Sequence, residues 1–239
     1  MTAIGIERPA GAPPGRRFFT IMAGIVALAV AAGFGPSYGA ALSDLPFWVH
    51  LHGAVMTGWI VLFAVQAWLV GRRSLGLHRR LGWLSTGLVA AMIPLGVVTN
   101  LMAIKRGATP PFFTPAQMMA ADGVDLVLFA GLFTAAVLMR KRGDWHKRLL
   151  LCATVLLSWP ALGRLIPLRS LGLSMIIPAA TVLLIMLACA GPIHDLATRR
   201  KVHPAYLWGV GLIILAQPLH LLLAVSAPIQ ALAGALTPT

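Results

Sequence analysis

Residues 46–70 read PFWVHLHGAVMTGWIVLFAVQAWLV, and residues 71–80 continue as GRRSLGLHRR. The first segment carries no Asp, Glu, Lys or Arg, and the second carries four arginines. A helix needs about 20 apolar residues to cross the hydrocarbon of a bilayer, and basic residues gather where such a helix leaves it on the cytoplasmic side. This stretch therefore predicts a membrane span that ends in a basic cytoplasmic turn.

The same pattern recurs on both sides of it. Spans are predicted near Phe18 to Tyr38, Pro46 to Val70, Leu81 to Ile104, Ala121 to Met139, Leu149 to Leu168, Leu171 to Pro192 and Ala205 to Val225. The fold class expected is an all-α membrane protein with seven transmembrane helices in one bundle. Residues 1–17 form an N-terminal tail, 18–225 the transmembrane domain, and 226–239 a C-terminal tail. With the N-terminus inside, fifteen of the 19 Lys and Arg residues lie on the cytoplasmic side. The positive-inside rule thus selects a cytoplasmic N-terminus and an extracytoplasmic C-terminus. The first span, preceded by Arg16 and Arg17, is too long for a signal-peptide core and reads as a retained anchor. The fourth is the weakest, being short and opening on Asp122 and Asp125.

Composition agrees. The chain of 239 residues is 59% hydrophobic and 10% charged, with a mean hydropathy of +0.86, which a water-facing surface cannot accommodate. The net charge of +13 is spread over turns rather than gathered in one stripe, so nucleic acid is not an expected partner. The partner expected is the lipid bilayer, in a multi-pass protein of a bacterial inner membrane. Cys152 and Cys189 fall near cytoplasmic ends of spans, where thiols stay reduced. The loop from Lys105 to Ala120 carries Pro110, Pro111, Pro115, Phe112 and Phe113, and reads as an interfacial segment able to act as a lid.

Three inner turns share a histidine where the chain re-enters the membrane: His78 in GRRSLGLHRRLGW, His146 in RKRGDWHKRLLL and His203 in TRRKVHPAYLWG. Interfacial anchoring explains them, and a shared cytoplasmic site is the alternative. His194 reads as a solvated loop residue.

Ionisable side chains inside hydrocarbon are expensive, and they face a bundle interior or a cavity. At about 1.5 Å per residue, His52 lies about 9 Å and His220 about 7 Å below the outer end of its span. Arg164, Asp125 and Asn100 lie about 6 Å deep on the same count. Five polar residues on five helices thus share one level, with Gln217 one turn from His220. A polar chamber in the outer half of the membrane is expected. His52 shares a helical face with Met56, Trp59, Phe63 and Gln66, whereas His50, about 200° away on the helix, looks elsewhere and serves as an interface contact. Within the chamber, an ion pair of Asp125 with Arg164, completed by His52, Asn100 and His220, would simply lock helices together.

Two functional readings compete with that lock. In one, His52 and His220 ligate a b-type haem, Arg164 answers a propionate, and Met56, Trp59 and Phe63 pack the ring. The same residues can also bind quinone directly, without metal. In the other, the chain is a carrier or receptor for a small anionic or lipid-like ligand, with Arg164 pairing the ligand and Pro94, Pro160, Pro178 and Pro218 as hinges near mid-span. An accessory role in a membrane complex leaves no trace in the sequence.

The segments HLHGAVMTGWIVLFAVQAWLV, LHRRLGW, HKRLLL and HPAYLWG resemble those of bacterial inner-membrane proteins and, more distantly, transmembrane b-type cytochromes with histidines on paired helices. The resemblance spans roughly residues 46 to 225 and implies electron transfer, with quinone at the outer pocket. The chain departs from the dihaem pattern because His78, His146 and His203 sit at or beyond the membrane boundary, so a second, inner haem is not expected. Other chemistries are set aside: no lysine lies within a span for a retinal Schiff base, and HEXXH, Walker A and GxSxG motifs are absent.

Overall fold

A computed structural model describes residues 14–40, 43–167 and 172–238, and those residues contain helices and no strand. The helices are α1 (Pro14–Ala40), α2 (Phe47–Gly71), α3 (Leu75–Lys105), α4 (Pro115–Leu138), α5 (Gly143–Leu156), α6 (Trp159–Leu165), α7 (Ile176–Arg199), α8 (Pro204–Ala224) and α9 (Ala227–Leu236). A short 3-10 turn, Leu173–Met175, precedes α7. Among the described residues six helices are long and apolar enough to cross a membrane, and α5 with α6 forms a bent pair that adds a seventh crossing when counted as one span. The chain is a multi-pass membrane protein.

The bundle is built around α5, which packs on α1, α4, α7 and α8. From Leu151 through Leu156 every side chain of α5 is buried, the signature of a helix enclosed by others. The remaining helices surround it: α2 lies against α1 and α3, α3 against α4, α4 against α8, and α7 against α8 and α6. Their outer faces carry apolar side chains such as Leu28, Val61, Val127, Leu138 and Leu222 in the open. Lipid covers such faces at no hydrophobic cost.

Expected and observed spans differ where local chemistry overrides hydropathy. The predicted fifth span is two helices meeting at 48°. Pro160 has no N–H for the carbonyl four residues earlier and its ring collides with it; α5 ends at that residue, Leu156. Pro160 therefore starts α6, and Pro178 lies in the first turn of α7, so neither is a mid-span hinge; Pro94 and Pro218 do lie inside α3 and α8.

The fourth helix is longer than hydropathy suggests. Thr114 Oγ1 accepts from Gln117 N while Thr114 N donates to Gln117 Oε1, and Pro115 takes the first helical position. This capping box starts α4 six residues before Ala121, placing Asp122 and Asp125 inside the helix and not at its mouth. α3 begins at Leu75, so His78 is helical, and α7 runs on to Arg199 through Pro192. Residues 226–239, read as a tail, contain α9, whose Ala233 joins Ile104, Ala116, Met118 and Met119 in a small core capping α3 and α4. The proline loop folds inward, with Phe113 5.3 Å and Phe112 6.5 Å from Trp159 between ring centroids.

Candidate functional site

Polar groups gather at the end of the bundle nearest the proline loop. His220 on α8 and Asp125 on α4 lie 3.0 Å apart, Nε2 to Oδ1, with side chains 15% and 18% exposed. One turn earlier on α4, Asp122 accepts a 2.6 Å hydrogen bond from Asn100 Nδ2 on α3, and the same amide donates to the Met118 carbonyl. Gln217, one turn from His220, donates to the Ile213 carbonyl and accepts from the Thr181 hydroxyl of α7, which in turn accepts from the Trp159 indole of α6. Trp159 and Thr181 were not foreseen as members of the chain of bonds.

Arg164 stands differently from its expected place. No carboxylate lies within 4.0 Å of it among the described residues, so the expected Asp125–Arg164 ion pair is not formed; Asp125 pairs with His220 instead. The Arg164 guanidinium donates back to the Pro160 carbonyl at 2.9 Å and lies 4.3 Å above the Phe34 ring. A single turn of α6 places it there, four residues after the proline whose carbonyl it reaches. It is exposed, as is Asp122, whose charge it feels at a distance.

His52 reaches the same level from α2. Trp59 of α2 meets Phe129 and Phe133 of α4 edge-on, with centroids 5.2 and 5.7 Å away. Both helices start at the proline-loop end. His52 is seven residues, or about 10 Å, nearer that end than Trp59, and Asp125 is four residues nearer than Phe129, about 6 Å. Seven residues is close to two whole turns, so His52 and Trp59 share a face. His52 Nδ1 is buried with no hydrogen-bond partner. No hydrogen bond joins it to the His220–Asp125 pair. His50, on another face, bonds the Leu45 carbonyl through Nε2 at 3.1 Å.

This arrangement tests the residues against a haem held by His52 and His220. Nε2 of His220 is taken by Asp125, so that ring has only Nδ1 to offer an iron, and no hydrogen bond joins it to His52. The set fits a ligand that makes hydrogen bonds better than one that takes two axial nitrogens.

The basic end holds a different construction. Arg148 of α5 and Asp195 of α7 form a two-pronged ion pair, Nε to Oδ2 at 2.9 Å and Nη2 to Oδ1 at 2.6 Å, with side chains 3% and 1% exposed. Arg148 Nη1 also donates to the Asp144 carbonyl and carboxylate, the His203 backbone N–H donates to Asp195 Oδ2, and the guanidinium lies 5.4 Å above the Tyr206 ring. Tyr206 fits because Gly191 presents no Cβ where its ring lies.

Nearby, the three histidines of the basic turns divide. His78 and His146 come together, with centroids 6.3 Å apart and planes at 84°. His203 lies against Trp145, the neighbour of His146, and caps α8 by accepting from Ala205 N. An open cavity of about 330 Å³ is lined by Arg199, Lys201, Val202, His203 and Pro204. His194 is not simply solvated: it sits on α7 and stacks on Phe18 at 4.0 Å.

Asp195 was the residue sequence reasoning missed, though scarcity marks it. The chain has six acidic residues against 19 basic ones, so any carboxylate inside an apolar helix needs a cationic or hydrogen-bonding partner.

The chain matches no family model, no curated protein and no solved structure.

Proposed function

We propose that the chain is a seven-span protein of a bacterial inner membrane, with a cytoplasmic N-terminus, whose outer-half polar cluster binds a lipid-soluble dicarbonyl ligand of the quinone class. The topology rests on counting α5 and α6 as one broken span, which puts the basic turns at one end, where the positive-inside rule requires them.

One observation carries the ligand reading. The His220–Asp125 hydrogen bond lies at the level of an unpartnered His52 ring nitrogen, among helices whose outer faces are apolar. A quinone has two carbonyl oxygens that accept and nothing that donates. His52 of α2 supplies an N–H donor to one carbonyl, the His220–Asp125 pair stands at the other and passes on the proton that reduction of the quinone consumes, and Trp59, Phe129 and Phe133 form an aromatic floor beneath. The residues supply binding and proton exchange. Electrons come from a donor outside this chain.

Short-chain ubiquinone titrated into the detergent-purified protein tests the reading, followed by quenching of tryptophan fluorescence. Asp125→Asn and His220→Phe are expected to weaken binding tenfold or more; unchanged affinity in both overturns the proposal. A reduced-minus-oxidised spectrum with a Soret band that needs both His52 and His220 would replace quinone at this site with haem b.

A second reading follows from Arg164, which has no carboxylate beside it and stands open at the cluster's edge. In it the chain carries a small anion that Arg164 pairs. Arg164→Ala then abolishes anion uptake into proteoliposomes while leaving quinone quenching intact.

A further inference from the structure

The turn from α7 to α8 joins a cavity to an excess of positive charge. Arg199, Arg200 and Lys201 follow one another there, and Arg199 and Lys201 line the open space of about 330 Å³ together with Val202, His203 and Pro204. Among the described residues no carboxylate lies within 4.0 Å of Arg200 or Lys201. Arg199 does reach one, Asp144, at 3.8 Å, but Lys147 holds that carboxylate at 2.8 Å and Arg148 at 3.2 Å. The turn is also fixed in shape. Arg200 ends α7 in the left-handed conformation, φ 55° and ψ 17°, and donates its N–H to the Leu196 carbonyl at 3.0 Å. That conformation is uncommon for a residue with a side chain and persists where the surroundings impose it. Here they do: the His203 N–H is tied to Asp195 Oδ2 at 3.2 Å, and the His203 ring lies 5.3 Å from that of Trp145. A cationic cavity already in shape binds an anion without the ordering cost of a loose loop.

The surroundings of the cavity say what kind of anion. Trp208, 65% exposed, stands one turn beyond Pro204, and Trp68, 51% exposed, stands in the last turn of α2 with the Arg72 guanidinium 5.4 Å above its ring. Exposed indoles near basic helix ends mark the level of the lipid headgroups. Within two turns of the cavity the same two helices expose Ile193 and Leu196 of α7 and Leu207 of α8. A ligand that suits this place is negative at one end and hydrocarbon at the other. We propose that the cavity binds the phosphate of an anionic phospholipid whose headgroup carries no cation of its own, with Arg199 and Lys201 on the phosphate and the acyl chains along the exposed faces of α7 and α8. A zwitterionic headgroup would bring its ammonium against three basic side chains. Inorganic phosphate offers the same oxygens but has no use for the apolar wall. The site is independent of the proline-loop cluster and of what binds there.

The full-length protein in detergent is mixed with phosphatidylglycerol or with phosphatidylcholine of the same acyl chains, and bound lipid is counted by native mass spectrometry. Phosphatidylglycerol is expected to bind at least tenfold more tightly. The double variant Arg199→Gln, Lys201→Gln should lose that preference, whereas Arg79→Gln, Arg80→Gln, which takes the same charge from exposed positions of α3, should keep it. All four side chains are exposed, and a melting temperature near that of wild type in both variants separates lost binding from lost fold. Competition with inorganic phosphate separates the two sources of the anion. Phosphate that displaces the lipid at millimolar concentration, with the same dependence on Arg199 and Lys201, would reassign the cavity to a soluble anion and overturn the lipid. Equal binding of the two lipids, or an equal loss in the two double variants, would reduce the effect to the overall charge of the chain and overturn the site.

Discussion

The two ends of this bundle hold charge in opposite ways. At the basic end, Arg148 and Asp195 use nearly every donor and acceptor they possess on each other, on Asp144 and on the His203 backbone. At the proline-loop end, the carboxylates of Asp122 and Asp125 each have one side-chain partner, Arg164 is bonded only to its own helix, and the buried His52 nitrogen has none. A network that is complete has nothing left to offer a ligand and holds helices in place. One that is incomplete in a water-poor setting carries a desolvation cost until something fills it. The difference separates a lock from the binding site proposed above without recourse to residue type, since both contain carboxylates, cations and histidines.

Breaking the lock should have the largest effect. Asp195→Ala leaves the Arg148 guanidinium buried beside a void, and removal of one partner of such a pair costs about 3–5 kcal/mol. The expected result is a large loss of folded, monodisperse protein in detergent, with recovery in the double variant Arg148→Met, Asp195→Leu. If Asp195→Ala were as stable as wild type, the contrast between the ends would fail. Gly191→Val attacks the same region through packing: the new side chain meets the Tyr206 ring, and overpacking of this kind costs about 1–3 kcal/mol. Thermal unfolding in detergent checks it.

At the other end stability should barely respond. Asp125→Asn keeps a hydrogen-bonding group opposite His220, and side-chain hydrogen bonds between membrane helices contribute about 0.6 kcal/mol on average. A melting temperature close to wild type, together with lost quinone quenching, is the expected pair of results. A drop comparable with that of Asp195→Ala would make the proline-loop cluster a second lock.

Much of this architecture is legible in the sequence, because hydropathy and the positions of arginine report the solvent directly. Which helix is central is not. α5 opens on a charged turn and is less apolar on average than its neighbours, and only the way α1, α4, α7 and α8 close around it buries it. The proline-loop cluster was legible by depth, which chain position yields, but not by partner. Asp125 meets His220 and not Arg164 because the capping box at Thr114 and the break at Pro160 set the register of α4 and the direction of α6. Both are local backbone effects that an apolar average conceals. Asp195 was legible in principle, as a lone carboxylate near the end of an apolar run, but basic neighbours on either side made it look like part of a solvated turn.

The smallest effect expected is a pH dependence at the lock's edge, and it comes from His203. Its Nδ1 caps α8 by accepting from Ala205 N at 3.2 Å, which only an unprotonated nitrogen can do. Burial and then the positive charge of Arg148 hold its pKa below the ordinary 6.5; Arg199 adds to this, and Asp144 and Asp195 oppose it. Below about pH 6.5 the unfolded chain takes up a proton here that the folded protein resists. The stability supplied by the neutral ring is therefore complete above that pH and is lost as pH falls through the window down to the folded pKa. His203→Asn keeps a side-chain cap that does not titrate. The melting temperature of wild type should fall further between pH 7 and pH 5 than that of His203→Asn. Equal falls would mean that the ring is not the acceptor at the start of α8, and that the backbone N–H bond to Asp195 alone ties this loop to the lock.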